Sequence, residues 1–312
     1  MNPQFSVKRT RVRYDSFTEP YFNGPELKGL CLPYKNLRSV PMHVWEMKEM
    51  EFLELCNNYL ETINPGIAAL CNLRALDISR NPFKSFPDAV CLLKRLEELH
   101  ASGCSFTTLP SSFASLNQLG QLTLDANAFE VFPEVICECK SLRYLSLTRN
   151  KLAELPRSFA KLQALIVLYL GENRFKAFPL AICEIKTLCS LFLRDNHLSE
   201  LPLTVSKLCN LQDLNVAGND LPGIPLFLGD LPRLHYLAIL GQRGFRPAER
   251  YLDEVRNVLN YIHERCVIPR LTSIVACGFY GDAAWSRFLL EGLYDPRLFL
   301  VVFDFAFKPQ VA

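Results

Sequence analysis

Twelve cysteines and five histidines are the residues of this chain best suited to metal or nucleophilic chemistry. Zinc ligands usually come in pairs two to four residues apart. Here the closest cysteines, Cys137 and Cys139, have one residue between them, and no C-x-x-C pair occurs. No G-x-S-x-G elbow, H-E-x-x-H pair or Walker sequence is present. The sequence therefore predicts no catalytic residues, no metal and no cofactor, and the chain is expected not to be an enzyme. A different chemistry, recognition, is offered by Tyr144, Val167, Tyr169, Phe192 and Tyr236 together with Arg143, Arg149 and Arg194. Aromatic rings beside guanidinium groups bury much area at little entropic cost, which is the make-up of interface hot spots. Whether they can act so depends on the elements that carry them.

Those elements repeat. Leu27, Met50, Leu73, Leu96, Leu119, Leu142, Leu165, Leu188, Leu211 and Leu234 follow one another at intervals of 23 residues without an insertion. The unit from Leu142 continues with Leu145, Leu147, Asn150, Leu152, Leu155-Pro156, Phe159 and Leu162. This is L-x-x-L-x-L-x-x-N-x-L, the leucine-rich-repeat pattern, sustained over residues 27–242. The last two leucines of L-x-x-L-x-L lie two apart, the strand period, so both face one side of a short strand. Asn58, Asn81, Asn127, Asn150, Asn173, Asn196 and Asn219 fall where the chain leaves each strand, and their amides can satisfy backbone groups there. Cys104 replaces Asn in its unit, as do Lys35 in the first and Gln242 in the last.

The expected fold is α/β: a leucine-rich-repeat solenoid, or horseshoe, with a parallel concave sheet of about ten strands and a small C-terminal α/β flank. A second period overlies the first. Units from Leu73, Leu119 and Leu165 carry Phe-Pro and then Val90-Cys91, Ile136-Cys137 and Ile182-Cys183. The intervening units carry Leu-Pro and then Phe113-Ala114, Phe159-Ala160 and Val205-Ser206, so the middle of the array repeats every 46 residues. This places cysteines as small buried hydrophobes in the repeat.

The x positions of the strand segments form rows. One reads Cys31, Glu54, Asp77, His100, Thr123, Ser146, Tyr169, Phe192, Asn215, Ala238; its neighbour reads Phe52, Ala75, Glu98, Gln121, Tyr144, Val167, Ser190, Asp213, Tyr236. Early repeats gather Glu51, Glu54, Asp77, Glu97 and Glu98, with Arg74 and Arg80 among them; later repeats hold the aromatic and arginine set named above. His100 and His235 have no second Cys or His on their rows, so a polar surface role is expected of them.

The 23-residue length and the Leu-Pro step resemble intracellular leucine-rich-repeat proteins of the Scribble and Erbin kind and the Ras-pathway scaffolds. The same repeat length occurs in Roco proteins. The resemblance implies a non-enzymatic scaffold that binds a protein, such as a small GTPase or another signalling protein, through the concave sheet. Substrate recognition within a ubiquitin ligase is also served by such repeats, although no F-box precedes them here.

Residues 1–26 form an N-terminal capping segment, with Phe5 to Tyr14 alternating as an edge strand. Arg11-Val12-Arg13-Tyr14 is similar to the R-V-x-F docking motif for protein phosphatase 1, with Tyr where Phe is usual. Residues 243–312 read as helix, strand at Leu271 to Cys277, glycine turn, helix and strand, an order that resembles the start of a Roco GTPase domain and implies, as an alternative function, a degenerate Roco-like GTPase-related regulatory protein. The phosphate-binding motif fails there: from Gly278 the last three positions are Ala283, Ala284 and Trp285 in place of Gly, Lys and Ser or Thr. Net charge is only +2, from 34 basic and 32 acidic residues, so bulk charge does not favour nucleic acid. No apolar run approaches the ~20 residues of a membrane span. With 49% apolar residues, no glycosylation sequon and no apolar leader, a globular cytoplasmic protein is expected.

Overall fold

Each period yields one three-residue strand, one tight turn and one five-residue 3-10 helix. The structure, a computed structural model, describes residues 28–222, 225–238 and 273–274. They fall in two units, Met1–Lys151 and Leu152–Ala312. In the first the strands are β1 (Gly29–Cys31), β2 (Phe52–Glu54), β3 (Ala75–Asp77), β4 (Glu98–His100), β5 (Gln121–Thr123) and β6 (Tyr144–Ser146). In the second they are β7 (Val167–Tyr169), β8 (Ser190–Phe192), β9 (Asp213–Asn215), β10 (Tyr236–Ala238) and β11 (Ser273–Ile274). Within each unit every strand pairs in parallel with the next. The register is that of the repeat, so Leu53 opposes Leu76 and Leu191 opposes Leu214. These central leucines are fully buried, as are Leu55, Leu147, Leu170 and Leu193 at the strand exits. Each contributes about 1.5–3 kcal/mol by leaving water.

The expected Asn role is present in all seven repeats that carry it. Asn81 accepts from the Leu60 N–H at 3.0 Å and donates to the carbonyls of Leu55 and Ile78, both at 2.9 Å. Asn196 accepts from the Phe175 N–H at 3.1 Å and donates to Leu170 and Leu193. One side chain thus serves backbone groups of two successive turns. Cys104 fills the exceptional place and takes over half the task. Its thiol points to the carbonyls of Ile78 and Ser102, at 3.4 and 3.5 Å. A thiol offers only a weak acceptor, and the N–H that an Asn would serve, on Phe83, turns back to the Asn81 carbonyl at 2.9 Å.

A feature that the repeat pattern did not announce sits just before each Asn. Tyr34, Asn57, Arg80, Gly103, Ala126, Arg149, Glu172, Asp195 and Gly218 occupy the same place in nine repeats, and all have φ between 51° and 68°. Only two are glycine, so seven residues hold a left-handed backbone at a steric cost of roughly 1–2 kcal/mol each. The Asn bonds immediately after them hold the turn closed.

The 3-10 helices follow proline in eight of nine described cases, the exception being Asn64-Pro65, where the Asn64 side chain accepts from the Gly66 N–H at 2.7 Å. Among the described residues these helices are all of 3-10 type. The two-repeat period is visible in their backbone. Pro87, Pro133 and Pro179, which follow Phe, have ψ of 107°, 98° and 98°. Pro110, Pro156 and Pro202, which follow Leu, have ψ of 155°, 159° and 151°. In the first set Cys91, Cys137 and Cys183 turn inward and are buried, whereas Ala114, Ala160 and Ser206 stay half-buried.

Ser273–Ile274 lies inside the strand expected at Leu271 to Cys277 and pairs with β10. The expected cap over residues 1–26, the 11–14 docking motif and the remaining elements of 243–312 lie outside the described residues.

Candidate functional site

Side chains alternate along a strand, so the residues flanking each buried central leucine share the other face of the sheet. In the second unit that face carries Tyr169 and Phe192 in register on β7 and β8. Their rings are stacked, with centroids 4.3 Å apart and planes 4° from parallel. Each ring is half-buried. Two residues beyond Phe192, the Arg194 guanidinium reaches Asp195 Oδ2 at 3.0 Å and Glu172 Oε1 at 3.6 Å. Gly171 makes room: a Cβ there would press against the Arg194 side chain. Val167 and Tyr236 occupy the adjoining row, half-buried, with the Ser190–Asp213 hydrogen bond of 2.7 Å between them. The structure therefore groups Tyr169, Phe192 and Arg194 directly and places Val167 and Tyr236 at either end of a polar pair.

The other expected residues belong to the first unit. Tyr144 is half-buried on β6, in register with Gln121. Arg143, just before it, is exposed. Arg149 is exposed in a left-handed turn, with φ 59°. Arg143 and Arg149 thus stand at the two ends of one strand segment rather than side by side.

The acidic zone lies wholly in the first unit. Arg74 bonds Glu97 through Nε and Nη2, both at 3.0 Å, and Lys28 pairs with Glu51 at 2.9 Å. Glu54 and Asp77 are in register on neighbouring strands. Burial, with the Asp77 carboxylate beside it, pushes the Cys56 thiol up to about 11. Asp125 accepts from the Ser146 hydroxyl and from the Thr148 N–H, yet burial still raises its carboxyl above the ordinary aspartate range. His100 shares a hydrogen with Thr123 through Nδ1 at 2.9 Å, which answers to the polar role expected of it. Phe52 differs from its row: its ring lies over Gly29, where a Cβ would collide with it, and it is buried in packing.

Six of the described cysteines are buried and behave as small apolar groups, while Cys71 and Cys209 are exposed. Burial pushes Cys104 up to about 11 and Cys139 up to about 12, far from the thiolate form that ligates or attacks. Among the described residues no three His, Cys, Asp or Glu side chains are grouped to hold a metal ion. Glu172 and Asp195, missed by the sequence reading, pair with Arg194, and Gly218, also missed, lies against Asp195. Their signal was position: all three stand at the left-handed place of the repeat.

Comparison with known proteins agrees with this architecture. A profile described as a leucine-rich repeat region matches residues 131–264, and one described as a leucine-rich repeat matches residues 95–116. No match was found among curated proteins. A leucine-rich-repeat protein of Leptospira interrogans is 29% identical, with a TM-score of 0.58, over 70% of this chain and 61% of that one. The chain thus spans about three-fifths of that protein's length. The ectodomain of the Arabidopsis thaliana membrane receptor kinase GASSHO1/SCHENGEN3, solved in complex with Casparian strip integrity factor 2, is 30% identical, with a TM-score of 0.57. That match covers 65% of this chain and 26% of the receptor chain. TLR13, solved with ssRNA13, is 30% identical over 63% of this chain and 30% of its own, with a TM-score of 0.58. The chain carries leucine-rich repeats and has the leucine-rich-repeat solenoid fold, a fold of protein-binding modules. No helix among the described residues is long and apolar enough to cross a membrane.

Proposed function

We propose that this chain is a non-enzymatic scaffold that holds a protein partner of an intracellular signalling complex against its strand face, with the second unit supplying the anchors. The observation that carries this reading is the Tyr169–Phe192 stack, two large rings side by side and half-buried on a sheet face. Val167 extends the apolar area along β7, Tyr236 stands as a separate ring beyond Asp213 and Asn215, and Arg194 supplies charge at the edge. In the first unit Tyr144, Arg143 and Arg149 are the corresponding contact residues. The receptor solved with Casparian strip integrity factor 2 lends support by analogy of fold. The described cysteines are thiols, which suits a cytoplasmic location.

Quantitative affinity capture from the native cell type, comparing wild type with Tyr169→Glu/Phe192→Glu, tests the reading. A protein present with wild type and lost from the double variant supports it. Capture of the same proteins by both would move the site elsewhere, first to the helical side, where Leu180 and Leu203 stand 59% and 67% exposed at one repeat position.

A further inference from the structure

In the second unit the row that begins Tyr169, Phe192 continues as Asn215 and Ala238, so the side chains fall abruptly in size after the second ring. The stack is parallel to within 4°, which turns the outer face of Phe192 toward β9. Asn215 does not fill the next position of the stack. It bends along its own strand, where Oδ1 accepts from the Ala217 N–H at 3.1 Å. A third planar group would have to come from outside.

Two carboxylates bracket that position. Asp213 precedes Asn215 by two residues on β9, on the same face and about 6.6 Å away along the strand. Its Oδ2 accepts from the Ser190 hydroxyl. On the other side Asp195 Oδ1 lies over Gly218, where a Cβ would collide with it. Arg194 engages the opposite oxygen, Oδ2. Glu172, Asp195 and Asp213 outnumber Arg194 and Arg233 here; Arg233, which precedes β10, acts on the Cys189 thiol together with Asp213.

We propose that the space above Asn215 is a slot for a guanidinium group, the arginine side chain of an extended partner segment stacked on Phe192 and held by Asp213 and Asp195. A neutral ring there would desolvate two carboxylates without replacing their hydrogen bonds. An ammonium would satisfy the charge but forgo the stack, since only guanidinium is planar and forked. The inference rests on the strand face of the second unit being the partner site, and adds the chemistry that it selects.

The test is an NMR titration of the full chain with N-acetyl-arginine amide, following the backbone amides of Asp213 and Asn215. Saturable, local shifts are expected, with N-acetyl-lysine amide about tenfold weaker or worse. Phe192→Leu and Asp213→Asn should each weaken binding. Asn215→Phe, which seats a third ring in the slot, and Asn215→Lys, which seats a cation there, should both abolish it. Absence of saturable shifts, equal binding of the lysine amide, or unchanged binding by both Asn215 variants would overturn the slot. A captured protein lost with Tyr169→Glu/Phe192→Glu but kept with Asn215→Phe would refute the slot alone. A protein kept by both sets would refute the face, and the titration would still decide the slot.

Discussion

On β2 and β3 of the first unit the in-register neighbours are Glu54 and Asp77; on β7 and β8 of the second they are Tyr169 and Phe192. Beneath both pairs the interior is the same: a buried central leucine, a second leucine or isoleucine, and an Asn that bonds two turns. Stacking identical turns forces each residue against its own counterpart about 4.8 Å away. Rings exploit that spacing by stacking, whereas like charges resist it. The first unit answers by alternating Lys28, Glu51, Arg74 and Glu97 at the positions just before the strands, as in the bidentate Arg74–Glu97 pair. The interior thus decides that the chain folds, and the strand face decides what it meets.

The comparison is attacked most strongly through the common interior. Asn127→Ala in the first unit strands the N–H groups of Cys104 and Phe106, Asn196→Ala in the second strands that of Phe175, and each also strands two closely bonded carbonyls. Each should cost about 2–4 kcal/mol in urea unfolding. A loss below about 1 kcal/mol in either unit would deny the two interiors their equivalence. Next come the left-handed turns. Gly103→Ala and Gly218→Ala both meet a φ that side chains resist, at roughly 1–2 kcal/mol, read as a lower Tm. Gly218→Ala should fall further, because it alone collides with a carboxylate, Asp195. Equal shifts would show that the carboxylate moves aside freely. Cys104→Asn should raise stability by about 1 kcal/mol, since an amide donates to the Ile78 and Ser102 carbonyls more strongly than the thiol does and offers the Phe83 N–H an alternative to the Asn81 carbonyl; a loss would mean that the thiol fits its place better than the amide.

The smallest effects belong to the charged face. Glu54→Gln should stabilise by a few tenths of a kcal/mol, by relieving Asp77. Asp125→Asn adds a pH signature. Because burial raises the folded-state value of this carboxyl, the native state binds the proton more readily than the unfolded chain does. The stability cost is full above the folded value and fades as pH falls through it. The variant should therefore gain at neutral pH and lose its advantage below the unfolded aspartate value of about 3.9. An advantage that persisted at lower pH would assign the gain to something other than charge.

Much of this was legible beforehand. The 23-residue period located β1 to β10, because burying a leucine ladder tolerates no change of register, and the Asn positions announced their own bonds. The Phe-Pro and Leu-Pro alternation was legible as a pattern, but its backbone meaning was not, since two values of ψ are open to a proline whose φ is locked. Arg149 and Arg194 looked alike as charges near aromatics. Their places differ by one position in the turn, which puts Arg149 in the left-handed bend and Arg194 on the strand face. Glu172, Asp195 and Gly218 escaped notice because a left-handed turn leaves no mark when its residue is seldom glycine. Phe52 belonged to the right row, but its ring folded onto Gly29, a contact that requires both residues to be seen together.

The alternating proline torsions have a genetic consequence. Across the units that start at Leu73 to Leu188 each turn is shaped to sit beside one of the other kind, so the array has a parity. Excising residues 96–118 would set two Phe-Pro turns against each other, whereas excising 96–141 would restore the original alternation. Lengthening or shortening of this array is thereby quantised in steps of two, and recombination that shifts it by one turn meets a packing fault at the joint.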